Sequence, residues 1–240
     1  MTARAGDPRA VARRPWMVVA RPLGEIAIVT VGILIAFALE AWWDGRENAA
    51  REQVHLRALA SDLQQNVAGL KTLIGKEEEV MAGSEELLKL ARAQQPGPTA
   101  SLEELFNQVF NSARFEPVMG AYEALVNSGG LTLIRNEALR AALAELAAKV
   151  SGQYTESWSE EHYFAFAREF AGRVVLLQSQ NPAADAREQA YQEMLRDRRF
   201  QEHLALRYYS ERDVANKYRG LLQQAEAVLA QVRAQVRDQD

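Results

Sequence analysis

Apolar residues follow two distinct patterns along this chain. Over residues 23–43, LGEIAIVTVGILIAFALEAWW, they run almost unbroken, whereas after residue 44 they recur at helical spacing among polar neighbours. As an α-helix, residues 23–43 would span about 31 Å, close to the hydrocarbon thickness of a bilayer. The two carboxylates of the run, Glu25 and Glu40, fall near its ends, where a charge reaches water; at mid-bilayer each would be costly. Trp42 and Trp43 at one end, and Trp16 before the other, have the amphipathic rings favoured at headgroup level. The pattern therefore predicts one membrane-spanning helix over 23–43. A cleaved signal peptide is the rival reading, because Ala36-Phe37-Ala38 is a small-x-small pattern after an apolar run. The long arm before the run and the Trp pair just beyond that site argue for an anchor instead. A buried helix of a soluble protein fits such a continuous run poorly.

Beyond the run the period changes. Leu56, Leu63 and Leu70 recur every seven residues, as do Leu59, Leu73, Val80 and Leu87, with Asn66 filling the remaining place. This is the seam of a long helix from Asp44 to about Gln94, which Gly75 and Gly83 are expected to break. The seam serves either a homomeric coiled coil or, the commoner use, one helix of an antiparallel intrachain bundle. Glu77-Glu78-Glu79 reads as a solvated face. Gln95-Pro96-Gly97-Pro98-Thr99 is a break, and Ser101-Leu-Glu-Glu104 reads as a capping box opening a short helix. A further helix over 118–127 stops at Gly129-Gly130, a brief extended or turn segment follows, and Asn136 caps the next helix. Helical periodicity then continues from Glu137 to about Ser179, with kinks expected at Gly152 and Gly172. Asn181-Pro182 opens another helix, and the last runs from Phe200 to about Arg237 with Leu204, Tyr208, Leu221, Ala225, Val228, Val232 and Val236 inward. The first and last long helices are expected to pack antiparallel. The fold class is all-α: a transmembrane helix followed by a long-helix bundle. The chain divides into an arm (1–22), the span (23–43) and one helical domain (44–240).

Charge orients this picture. Arg4, Arg9, Arg13, Arg14 and Arg21 precede the span, opposed there only by Asp7, whereas Arg46, Arg51 and Arg57 after it are mixed with Asp44, Glu47, Glu52 and Asp62. The excess predicts a cytoplasmic N-terminus and an exported C-terminal domain, hence a bacterial inner-membrane protein with a periplasmic domain. Of the net charge of −4, residues 1–43 hold +2, so the remainder carries −6. An acidic domain of this kind is no nucleic-acid binder. The chain has no Cys, so the exported domain must hold together by packing, without disulfides or thiolate metal sites.

Two stretches carry a resemblance. Gly24-Glu25 with Val31-Gly-Ile-Leu-Ile-Ala36, and Ala121-Tyr-Glu-Ala-Leu-Val-Asn-Ser-Gly129 with Leu133-Ile134 and Asn136, resemble a bacterial family of uncharacterised membrane proteins. The resemblance implies one N-terminal membrane helix, a helical remainder and no assigned activity. The chain departs from the family in its Arg-rich composition and in leaving the span through Glu40-Ala-Trp-Trp43.

Candidate chemistry is sparse. His55, His162 and His203 form no ligand-spaced pair, and no phosphate loop, nucleophile elbow or dinucleotide fingerprint is present. No metal, no cofactor and no enzymatic activity are expected. One candidate is a ridge on the span, Gly24, Ile28, Gly32, Ala36 and Glu40, which recur every four residues and share a face suited to close helix packing. Trp16, Trp42 and Trp43 are the candidate interface anchors. The expected function is a membrane-anchored scaffold or accessory subunit of a larger membrane complex. Its partners would be the lipid bilayer and other subunits or a second copy of the chain. The alternative is a periplasmic sensor whose ligand pocket is lined by Tyr154, Trp158, Tyr163, Phe164, Phe166, Phe170, Tyr208 and Tyr209; aromatics at this spacing more often form a core.

Overall fold

The computed structural model describes residues 16–93, 99–151, 156–180 and 183–236; side chains are described for 28–93, 101–151, 160–180, 183 and 185–236. Every regular element among these is helical: α1 (Trp16–Ala93), α2 (Thr99–Val109), α3 (Gly120–Asn127), a 3-10 turn (Gly130–Leu133), α4 (Glu137–Ser151), α5 (Glu156–Phe166), a π-helical segment (Ala167–Ala171), α6 (Gly172–Gln180), α7 (Ala184–Arg196) and α8 (Arg198–Gln235). Abundant Ala, Leu, Glu, Gln and Arg favour this outcome. Contacts divide the chain into two units, Met1–Arg51 and Glu52–Asp240.

In the first unit, residues 28–44 of α1 are exposed on every side, including Ile28, Leu34, Phe37, Leu39, Trp42 and Trp43. This helix is long and apolar enough to cross a membrane by length and composition. Residues 1–15 of the predicted arm (1–22) lie outside the described residues, as do the side chain of Trp16 and the surroundings of Gly24, whereas residues 16–22 of that arm already belong to α1.

In the second unit α1 and α8 run antiparallel. Gln53 Nε2 donates to the Gln235 carbonyl at 3.0 Å, Lys71 pairs with Glu226 at 2.7 Å, and Arg219 pairs with Glu78 at 2.5 Å, so rising numbers on one helix meet falling numbers on the other. The heptad seam is buried throughout: Leu56, Leu59, Leu63, Leu70, Leu73, Val80 and Leu87 are all at most 7% exposed. Each such leucine contributes roughly 1.5–3 kcal/mol, against about 0–1 kcal/mol for an exposed ion pair such as Lys71–Glu226. Packing therefore decides the pairing. Two separate apolar clusters result. One joins α1 (Leu56 to Ile74), Leu125 of α3, α4 (Leu139, Leu143, Leu146) and α8 (Val214 to Val232). The other joins Leu87, Phe106 of α2, Phe166 and Phe170, Tyr191 of α7, and Phe200 and Leu204 of α8.

Several details differ from the sequence expectations. Gly75 and Gly83 do not break α1, which continues to Ala93. Gly83 instead permits close approach of α2: a Cβ there would lie 2.9 Å from Gln108 Oε1 and 3.4 Å from Val109 Cγ1. Glu77 is not solvated but 3% exposed, because it occupies the seam position seven residues after Leu70; Glu78 and Glu79 do face water. Ser101 lies inside α2, which begins at Thr99. The segment after Gly129 is a 3-10 turn, and Gly129 has the left-handed conformation (φ 69°) expected of a stop. Asn136 Oδ1 accepts from Leu139 N at 3.0 Å, as a cap should. Asn181 and Pro182 lie outside the described residues; α7 starts at Ala184, with Ala183 at its N-cap. On α8 the seam takes Arg207 rather than Tyr208, which is half-buried. Gly152 lies outside the described residues, and Gly172 follows the π-helical segment.

Leu63→Asp should lose more than about 4 kcal/mol of unfolding free energy, since a charge would be buried without a partner. Urea denaturation in detergent tests this; an unchanged midpoint would mean that the seam does not hold the domain.

Candidate functional site

The described residues contain no group of three or more His, Asp or Glu that could hold a metal ion. The chemistry of the second unit is concentrated instead in buried polar side chains on the two long helices. On α1 these are Glu52, Asn66, Glu77 and Ser84, and all four stand at seam positions.

Two of them, with Asp62, hold the segment that leads through α3 into α4. Asn66 accepts from Val118 N at 2.7 Å and donates to Val118 O at 2.8 Å, a two-point grip on the backbone of one residue. Asp62 Oδ2 accepts from Ala121 N at 2.7 Å, at the start of α3, where helical N–H groups lack internal partners. Glu52 Oε1 accepts from Arg135 N at 2.7 Å, just before α4. Carboxylates at these points also oppose the positive ends of the helix dipoles. The stretch Ala121–Gly129 is thus anchored from α1 at its first residue.

A second polar group surrounds Arg207. Arg207 and Glu211, one turn apart on α8, are both buried and paired. Arg207 also donates to the Asn111 carbonyl, and its guanidinium carbon lies 4.7 Å from the centre of the Tyr163 ring. Tyr163 OH donates to the Phe110 carbonyl at 3.1 Å, and Arg114 pairs with Glu160. Beside them is a cavity of about 20 Å³, lined by Glu77, Ser112, Tyr163, Arg207, Glu211 and Tyr218 among others. That is the size of a single water. Arg207 Nε and Ser210 Oγ are buried without a hydrogen-bond partner among the described residues. The arrangement ties α8, α5 and the loop after α2 together.

The described members of the candidate aromatic set, Tyr163, Phe164, Phe166, Phe170, Tyr208 and Tyr209, differ in their surroundings. Phe166 and Phe170 are core side chains whose rings meet Phe200 at 5.7 and 5.2 Å between centroids, the first tilted and the second edge-on. Phe164 and Tyr209 are more than half exposed, Tyr208 is half-buried, and only Tyr163 borders the polar cavity. The side chains of Tyr154 and Trp158 lie outside the described residues. Burial in the same core raises the phenol of Tyr191 above its ordinary range. In the first unit Ile28, Gly32, Ala36 and Glu40 are exposed at four-residue steps on α1, and a Cβ built on Gly32 would meet nothing within 4 Å. Trp42 and Trp43 are exposed, with the Arg46 guanidinium 5.7 Å from the Trp42 ring centre.

The model of a family of unknown function, DUF6090, matches residues 25–163, more than half of the chain. The chain belongs to this family. No curated protein and no solved structure matches it. The DUF6090 match begins within α1 and ends at Tyr163 on α5. It includes Glu52, Asp62, Asn66 and the segment they hold, and it includes Glu77. Arg207 and Glu211 on α8 lie outside it.

Sequence reading missed Glu52, Asp62, Arg207 and Glu211. The seven-residue register held a signal for three of them. Glu52 falls seven before Leu59, and Arg207 and Glu211 fall seven after Phe200 and Leu204. A charged residue at a seam position is either a fault in the seam or a buried, partnered group.

Arg207→Met should lose about 3–5 kcal/mol, because Glu211 is left buried without its cation, whereas Arg207→Met with Glu211→Leu should recover most of the loss. Equal denaturation midpoints for the single and double variants would show that Glu211 is not left stranded by the loss of Arg207.

Proposed function

We propose that the chain is a single-pass protein of the bacterial inner membrane. In this reading residues 23–43 span the bilayer, the N-terminal arm is cytoplasmic, and the helical domain is periplasmic. There it acts by protein–protein interaction, as a scaffold or accessory subunit of a membrane complex. The observation that carries this reading is the exposure of residues 28–43. Their apolar side chains cover the whole circumference of α1 and are exposed among the described residues. A helix apolar all round belongs inside a large core or a bilayer. Further along the same helix, the seam from Glu52 onward is buried on one face only. The Arg excess before the span supports the orientation. An interaction role is supported by the domain's makeup: its buried polar groups hold helices and loops in place.

A C-terminal reporter active only in the cytoplasm should be silent, and alkaline washing should leave the protein in the membrane fraction. Strong reporter signal, or release by the wash, would overturn the anchor and its orientation.

The face carrying Gly24, Ile28, Gly32, Ala36 and Glu40 is proposed as the contact with a neighbouring membrane helix. Gly32 and Ala36 let two backbones approach where dispersion drives association. Gly32→Leu should lower crosslinking yield in membranes without preventing insertion. Loss no greater than that of the opposite-face control Leu34→Ala would remove the ridge from the interface.

A further inference from the structure

We infer that a groove between α1 and α8 is where a second copy of the chain docks, the two copies lying side by side and parallel. The inference rests on the anchored reading above, since copies inserted in one membrane in the same sense present their domains parallel. The groove has a volume of about 720 Å³, and its lining residues all belong to α1 and α8. They include half-buried Val67, buried Leu229 and the exposed Ala68 and Ala230, with Lys71 and Glu226 paired at 2.7 Å. Apolar side chains flanked by alanines let a further helix approach closely.

What specifies a second copy is the charge pattern. α1 carries Gln64, Lys71 and Glu78 at seven-residue steps, and α8 carries Arg233, Glu226 and Arg219 at the same step in the opposite direction. Lys71 pairs with Glu226, and Glu78 with Arg219 at 2.5 Å, so each pair stands at one level of the antiparallel helices. Gln64 and Arg233 border the same groove. A two-fold axis along the groove, parallel to the helices, keeps these levels and sets α1 of one copy against α8 of the other. Lys71 then meets the second copy's Glu226 as well as its own, Glu78 meets Arg219, Gln64 meets Arg233, and Ala68 faces Ala230. Each charged level becomes a ring of four side chains alternating in sign. The four ionic side chains are 43–57% exposed, so donors and acceptors remain for these added contacts. The face is thus complementary to itself. Exposed ion pairs contribute little affinity and chiefly fix register, while confinement to one membrane raises the effective concentration of the copies.

The test co-expresses two differently tagged forms of the full-length chain, which has no native Cys. One carries Ala68→Cys and the other Ala230→Cys, and disulfides are formed by mild oxidation in isolated membranes. A linked species bearing both tags should form. Its yield should fall several-fold when Ala148→Cys, exposed on α4, replaces Ala230→Cys. Equal yields would overturn the groove as the contact. Lys71→Glu in both forms puts four carboxylates in one ring and should also lower the yield several-fold. Lys71→Glu in the first form with Glu226→Lys in the second should restore it, because opposite charges then meet between copies although like charges meet within each. No recovery in that mixed pair would overturn the charge ring. Alkaline washing of the same membranes judges the anchor separately, and release of the protein overturns the anchor. Absence of the crosslink in retained protein overturns the second copy as occupant and leaves the groove to another protein.

Discussion

Antiparallel packing of α1 against α8 is the interaction on which the second unit depends. These two helices contribute most of the buried leucines and valines, and every shorter element packs onto them. α3 and α4 cover the proximal half of the pair, and α2, α5, α6 and α7 cover the distal half. Short helices of 8 to 15 residues are marginal alone in water. They are helical here because the long pair presents an apolar surface on which to bury one face.

The polar residues admitted to the seam do a different job from the leucines. Replacing the Arg207–Glu211 pair together by apolar residues of similar size need not weaken the fold, because buried ion pairs often contribute little net stability. Their effect is on uniqueness. A leucine seam tolerates sliding by one heptad at modest cost. Asn66 meets the Val118 peptide, and Arg207 meets the Asn111 carbonyl, in one register only. Any slip strands a buried charge or amide, and that penalty is several kcal/mol. Polar seam positions thus select one arrangement among several that the apolar pattern permits, as they do in coiled coils.

Legibility in the sequence follows the same division. The apolar run at 23–43, the seam from Leu56 to Leu87, the Gly129 stop and the Asn136 cap were readable because each depends on local spacing or local conformation. The antiparallel pairing of the long helices was readable from their matching seams. Glu77 was misread as solvated because it sits among Glu78 and Glu79, and charge runs are usually wet; its heptad position outranked its neighbours. Arg207 and Glu211 look like an ordinary surface i,i+4 pair. What buries them is the arrival of α5 and the loop after α2, contacts made across 44 and 96 residues of sequence. The grip of Asp62 on Ala121 N is equally non-local. No spacing rule along one helix announces a partner that comes from another.

The change of pattern near Arg51 and Glu52 bears on function more than any single side chain. Before it, α1 exposes Ile, Leu, Val, Phe and Trp on all sides; after it, the seam is turned inward and charged residues face out. Exposed contiguous apolar surface of that extent in water would drive aggregation, so residues 28–43 call for a non-aqueous neighbour. A bilayer meets that need along the whole circumference, and a protein partner meets it along one face. The small-residue ridge through Gly32 and Ala36 is the face on which both can be true at once: lipid around most of the helix and a second helix against the ridge. Under the proposed reading, the anchor is therefore already part of the interaction surface. The domain's own polar contacts are spent on holding its helices in register. In that same reading, recognition of partners would fall to the anchor ridge and to the exposed faces of the helices.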